Sequence, residues 1–437
     1  MQKLFLPLVL AVSVHVPGFA QTTVFSDARS GNIGLSVDPD GALTLAAAQV
    51  LAASANPGLA VAAREIEAME GAVQQAGTRP NPEFSASLED TRQATRTTTL
   101  QLNQPIELGG KRRARMTAAD RNRDAAVTEL AIARAALRAT VMAAFYDVLT
   151  AQERHQLALA SVDLAQRATS VTARRVIAGK TSPVDETRAR VAQASVHIEL
   201  SQAASELAMA RNRLASTWGS TRPRFERVDG ALDILPPLPS LDALMQRLQH
   251  SPALARSRLE VMRRQALVQV ERARQVPDIT LSLGAKRDEQ LGRNQAIVGV
   301  SIPLPLFDRN QGNLLESLRR TDQARDALTA RQVHSASELA QAHEQLDTAR
   351  QQARLLQQQI VPGARSAYDA ATTGFAFGKF SFLDVLDAQR TLLQARSQAL
   401  QTLASAHRAA ADIERLVGGD VATASAVSLN TPPQESP

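Results

Sequence analysis

Gly374–Arg396 reads GFAFGKFSFLDVLDAQRTLLQAR, and its local chemistry is that of a turn feeding a helix. Gly374 and Gly378 are expected to break whatever helix precedes them. Ser381 is a good helix N-cap, and Asp384 stands three residues on, the S-x-x-D spacing of a capping box. Leu386, Leu393 and Leu400 then recur every seven residues, the spacing of a helix-packing seam. Asp384 and Asp387 are three apart and share one helix face.

Some 200 residues earlier the chain repeats itself. Gly179-Lys180-Thr181-Ser182-Pro183-Val184-Asp185 matches Gly378-Lys379-Phe380-Ser381-Phe382-Leu383-Asp384. Ser182 is the cap, Pro183 the first helical residue, and Asp185 is expected to close the box. The pattern is a duplicated helical hairpin tip.

The anchors hold through the rest of the chain at an offset of about 195 to 200 residues. Asn56-Pro57 is answered by Ser251-Pro252, Pro82 by Pro277, and Pro105-Ile106-Glu107-Leu108-Gly109-Gly110 by Pro305-Leu306-Phe307-Asp308-Arg309-Asn310. Phe84, Ala86 and Leu88 alternate with polar residues, as do Leu100 and Leu102, with TRQATRT between them. Ile279, Leu281 and Leu283 alternate likewise, then Val298, Val300 and Ile302, around the polar loop KRDEQLGRN. The expected strands are 83–91 with 97–105, and 278–286 with 295–304.

From Lys111 to Ile177 there is no proline or glycine, and Leu130, Leu137, Val141, Phe145 and Val148 fall on one face. A helix of about 70 residues is roughly 100 Å long, the scale of a coiled coil or helical tube. In the second half Leu339, Leu346, Ala353 and Ile360 are spaced by seven, with Ala342, Ala349 and Leu356 between them. Pro362-Gly363 is expected to kink that helix.

The division that follows is a signal peptide at 1–20, an extended lead-in at 21–40 and a first repeat at 41–219. A proline-rich linker at 220–240, a second repeat at 241–419 and a disordered tail at 420–437 complete it. Lys3, the apolar run from Leu4 to Val16, and Gly18-Phe19-Ala20 read as an export signal cleaved near Ala20. The chain has 437 residues, 3% aromatics and no cysteine. That is a long-helix composition, with no disulfide, thiolate metal site or lipidated cysteine expected. The formal charge of +6 is interspersed in both signs, so a nucleic-acid partner is not expected.

No later segment has the length of a transmembrane helix, so a membrane-spanning form must be β. Four strands of about nine or ten residues match a tilted crossing. Four cannot close a barrel, and an open edge is forbidden in lipid. Three chains would supply twelve strands, with the helices continuing the tube into the aqueous compartment. The competing reading is a soluble exported protein with two hairpins packed on helices, which the scarcity of strand aromatics beyond Phe84 and Phe307 favours.

The turns QPIELGGKRRAR and IPLPLFDRNQG and the tip GKFSFLDVLDAQ resemble the TolC-type outer-membrane efflux family, in its heavy-metal (cobalt–zinc–cadmium) branch. The likeness spans residues 40–419. It implies a mainly α chain with a small β part in two tandem repeats. These would form a homotrimer with a twelve-stranded transmembrane β-barrel in outer-membrane lipid, continued by a periplasmic α-helical barrel. It implies docking to a periplasmic adaptor and, through it, to an inner-membrane pump of the resistance–nodulation–division class. Asp384 and Asp387 match the carboxylates that narrow the periplasmic entrance. Gly179, Lys180, Ser182, Asp185, Gly378, Lys379 and Ser381 match the adaptor-facing tips. The same fold serves drug efflux and type I protein secretion. A structural coiled-coil protein and the adaptor itself are the remaining alternatives.

His155, His197, His250, His334, His343 and His407 are scattered, and His343 with Glu344 or Asp347 makes at best a weak metal patch. No phosphate-binding loop, H-E-x-x-H or G-x-S-x-G is present, so neither an enzyme nor a cofactor is expected.

Overall fold

The computed structural model describes residues 41–419, so the expected signal peptide, lead-in and tail lie outside the described residues. The chain opens with β1 (Gly41–Thr44), α1 (Leu45–Ala55) and α2 (Pro57–Ala76). Asn56 separates the two helices. Its side chain accepts from the Leu59 N–H and donates to the Thr217 carbonyl at 2.7 Å. Next come β2 (Glu83–Glu89), β3 (Thr97–Ile106), the 67-residue α3 (Lys111–Ile177) and the returning α4 (Pro183–Ser216).

The second half repeats the plan. After β4 (Phe225–Asp229) come α5 (Leu241–Gln249), α6 (Pro252–Arg274), β5 (Ile279–Asp288) and β6 (Arg293–Ser301). Then α7 (Gln311–Leu355), a π turn at Leu356–Ile360, α8 (Val361–Ala376) and α9 (Phe382–Val417) complete the hairpin. Ser251 caps α6 as Asn56 caps α2. Gly219 lies against Pro57, and Gly418 against Pro252, so each half closes on itself with the same contact.

The stretch 220–240 is more than a linker. Within it β4 pairs in parallel with β1, Leu43 opposite Val228 and Thr44 opposite Asp229. Leu43, Phe225 and Val228 are buried there with Phe145, Leu214 and Trp218, forming the core at the waist of the helices. A second core joins Leu244, Leu248 and Leu254 to Leu339 and Leu346 of α7 and Ile413 of α9.

Beyond the waist the helices pack through small residues. Ala151, Ala158, Ala165 and Thr172 of α3 are buried every seventh position, and α4 answers with Ala189, Val196, Ala203 and Ala210. Alanine seams let two backbones approach closely, and the heptad spacing keeps the seam on one side of a long helix.

On α9 the buried positions Val385, Leu392 and Ala399 lie one residue before the expected seam. Leu386, Leu393 and Leu400 are only half-buried beside it. The cause is that α9 packs against α3, α7 and α8 together, so its apolar face is broader than one seam.

At Pro362-Gly363, where a kink is expected, the helix runs on through a π turn, with the Val361 N–H bonding to Leu356 O, five residues back. Pro362 has no N–H, and in an α-helix its ring would strike the Gln358 carbonyl. The wider turn moves that carbonyl away and inserts one residue into the heptad. Ile360, expected on the seam, is therefore 42% exposed, while Ala364 and Ala371 resume the buried line after Ala349 and Leu356.

Candidate functional site

The strands form one antiparallel sheet in the order β2-β3-β5-β6, so the pairing of β3 with β5 joins the two halves. Its two faces differ in chemistry. Phe84, Leu102, Leu283 and Val298 lie opposite one another in a single row across all four strands. Ala86, Leu100, Ala285 and Ala296 make the next row. The other face carries Ser85, Gln101, Asn103 and Ser282, and there both the Gln101 amide and the Ser282 hydroxyl donate to Asn103 Oδ1 at 2.7 Å. Phe84, Leu102, Leu283 and Val298 are exposed although apolar. The outer edges of β2 and β6 have no partner strand among the described residues. No single described helix is long and apolar enough to cross a membrane.

The strand-to-helix turn of the first half is locked by Asp278. Its Oδ1 accepts from the Leu108 N–H at 3.1 Å and from Lys111 Nζ at 2.7 Å. Arg115 pairs with Glu107 and reaches the Thr78 carbonyl. These contacts hold the start of α3 onto β5 and the end of α2.

At the far end both hairpin tips use the same backbone device. Lys180 N–H bonds to Arg175 O, and Lys379 N–H to Gly374 O, each at 2.8 Å. Gly179 (φ 67°) and Gly378 (φ 74°) take the left-handed turn that this six-to-one closure requires. Gly374 does not break a helix. It lies in the last turn of α8, where a Cβ would overlap the Phe380 ring.

Ser381 caps α9 with both halves of the box present: the Asp384 N–H bonds to Ser381 Oγ, and the Asp384 carboxylate accepts from the Ser381 N–H at 2.7 Å. The Ser381 hydroxyl, and then its backbone N–H, hold the Asp384 carboxyl below the ordinary carboxylate range. The box expected at the first tip does not close. Ser182 accepts from Val184 N–H, while the half-buried Asp185 turns to Arg188 at 3.7 Å. A basic partner one turn on competes for that carboxylate.

Gly179, Lys180, Ser182, Gly378, Lys379, Ser381, Asp384 and Asp387 are all exposed. Exposed apolar side chains surround them: Ile177, Phe377, Phe380 and Leu383. The two tips stand side by side through a contact that sequence reading missed. Arg175 Nη1 donates to the Phe375 carbonyl at 2.8 Å, and its guanidinium lies 4.3 Å from the Phe375 ring centroid. The sequence signal was an arginine in the last turn of α3, a common place for a basic residue. Nearer the waist Asp147 of α3, also unremarked in the sequence, binds Arg408 of α9 at 2.6 Å and Arg213 of α4 at 3.5 Å.

The histidines do not converge. His343 Nε2 sits 3.1 Å from the Pro239 carbonyl, and among the described residues no group of three or more candidate metal ligands forms.

Known proteins share this arrangement. The family described as outer membrane efflux protein matches residues 49–220 and 243–419. The chain belongs to the outer membrane efflux protein family. Family members are transport ducts of the outer membrane rather than enzymes. A relative is the cobalt-zinc-cadmium resistance protein CzcC of Cupriavidus metallidurans, 49% identical over 421 residues, 96% of this chain and 100% of that protein. Among solved structures, CusC, described as a transmembrane channel, superposes with a TM-score of 0.73 at 19% identity, covering 86% of this chain and 92% of that one. The outer-membrane protein VceC of Vibrio cholerae gives 0.72 at 22% identity, covering 86% and 96%. These two likenesses concern the fold, which is mainly helical with a small sheet, as the resemblance implied.

Proposed function

We propose that this member of the outer membrane efflux protein family is the exit duct of a tripartite system driven by a resistance–nodulation–division pump, and that its cargo is divalent heavy-metal cations. One observation carries the duct: a four-stranded sheet that is apolar on one exposed face, polar on the other, and unpaired at both edges. In lipid that sheet needs sister strands. Three copies make twelve, with the polar face lining the bore and the helices extending it into the periplasm. The cargo rests on the 49% identity to a cobalt-zinc-cadmium resistance protein. The barrel alone anchors the chain after cleavage near Ala20, since there is no cysteine to lipidate.

Asp384 and Asp387 face outward on the first turns of α9, and three copies bring six carboxylates toward the axis. A ring of like charge at a constriction favours cations. The tips, with Lys180 and Lys379 among exposed apolar side chains, present a mixed surface suited to a periplasmic adaptor. Planar-bilayer recording of Asp387→Ala tests the entrance. The expected result is a higher conductance with reduced cation preference, and unchanged traces would remove the assignment. Deletion of the gene is expected to sensitise cells to cobalt, zinc or cadmium. Sensitivity to drugs alone, or loss of a secreted protein, would reassign the cargo.

A further inference from the structure

The segment leaving β6 is apolar and uncovered: Leu304, Leu306 and Phe307 are 75%, 65% and 92% exposed. Its counterpart in the first half is closed by ion pairs at Glu107 and Lys111. The second half has Phe307 in place of Glu107 and Leu315 in place of Arg115, so that clasp is replaced by apolar surface. Pro303 and Pro305 lack N–H donors, so the segment carries fewer groups that would object to leaving water.

Two exposed arginines, Arg272 and Arg309, belong to the segments that meet behind this surface. Asn310 Nδ2 donates to the Glu271 carbonyl at 2.8 Å, and Gln275 Nε2 donates to the Arg309 carbonyl at 3.1 Å. Arg309 Nε donates to the Pro305 carbonyl at 3.3 Å, and the Glu271 carboxylate is taken by Arg274 and Asn310, which leaves neither Arg272 nor Arg309 in an ion pair among the described residues. The order along the chain is an apolar sheet face, then an exposed aromatic, then arginine without a carboxylate partner. That is the order of an interfacial anchor, in which the ring sits at the edge of the hydrocarbon and the cations meet headgroup phosphates.

We propose that this turn is a lipid-binding site: Phe307 seats at the hydrocarbon boundary while Arg272 and Arg309 bind the phosphate of an anionic phospholipid in the periplasmic leaflet. The site rests on the duct reading, because it needs the sheet in a bilayer. Zwitterionic lipid also offers a phosphate, but its own cation opposes the arginines. Near a membrane surface each basic residue is expected to favour the anionic lipid about fivefold, and high salt to erase the preference.

The test uses the full chain carrying Phe307→Trp, since the native Trp218 is buried and gives a constant background. Leu304→Trp serves if that variant misfolds. The protein is reconstituted in phosphatidylcholine vesicles containing a small fraction of either acyl-brominated phosphatidylglycerol or acyl-brominated phosphatidylcholine. Both quenchers are expected to dim the new tryptophan, the anionic one several-fold more strongly at equal fraction. Arg272→Gln with Arg309→Gln is expected to equalise them. Equal quenching of the Phe307→Trp protein with both arginines intact would overturn the site and leave the duct standing. So would a Phe307→Trp signal that stays unquenched while Val298→Trp, on the sheet face, is quenched. Failure to quench Val298→Trp as well would take both down together.

Discussion

His407 shows how one side chain ties three parts of the molecule together. Its ring stacks on Tyr146 of α3 with centroids 3.6 Å apart, and Nε2 donates to the Leu232 carbonyl between the halves at 3.2 Å. Burial pushes its pKa below the ordinary value of 6.5, outweighing the hydrogen bond to Leu232. The folded protein therefore holds the ring neutral, whereas the unfolded chain takes up a proton below about 6.5. The stability contributed is present in full above that pH and is lost as pH falls toward the depressed folded value. We expect His407→Gln to flatten the fall in melting temperature between about pH 7 and 5, as read by circular dichroism in detergent. A slope equal to that of the parent would show that other groups set it. Asp384 titrates the same way at lower pH: its cap persists through neutrality and is lost only as pH falls below the ordinary carboxylate range. Side-chain roles of this kind were partly legible. The S-x-x-D box at Ser381 was, because capping is local chemistry. The role of Gly374 was not, because Phe380 returns over it through a turn whose path the spacing alone does not define.

The helices were legible where period and punctuation agreed. A stretch from Lys111 to Ile177 with no breaker is one helix, and the strand pairs lie within a few residues of their alternating runs. Two features escaped for physical reasons. The β1–β4 pair joins four residues to five across some 180 positions, too short to show alternation and too distant to show a turn. The π turn is invisible because an extra residue in a heptad looks the same as a seam that ends. The π turn makes a prediction. Deleting Gln358 returns the spacing to seven on both sides but puts the Pro362 ring against a carbonyl, costing about 3 kcal/mol. Adding Pro362→Ala is expected to recover most of that loss in a thermal melt. A double variant no more stable than the deletion alone would mean that the turn is held by packing rather than by the proline.

At the scale of the molecule, the sheet leaves both outer edges open among the described residues, and the proposed trimer predicts that copies of the chain pair there. Because the chain has no cysteine, engineered pairs report cleanly. Cysteines introduced together on β2 and β6 are expected to give, on oxidation in detergent, covalent dimers and trimers but no larger species. Intramolecular bridging alone, or an unbounded ladder, would argue against closure by three. The alanine seams bear on how such an assembly moves. From Val148, packed in the waist core, to Ile177 at the tip, α3 runs roughly 45 Å at about 1.5 Å per residue. With mostly alanine on both sides of the α3–α4 seam there is little side-chain bulk to yield, so this hairpin is expected to move as a stiff lever about the waist. A tilt of about 5° there would displace the tip by about 4 Å, and on the proposed duct reading it would carry the two aspartates with it.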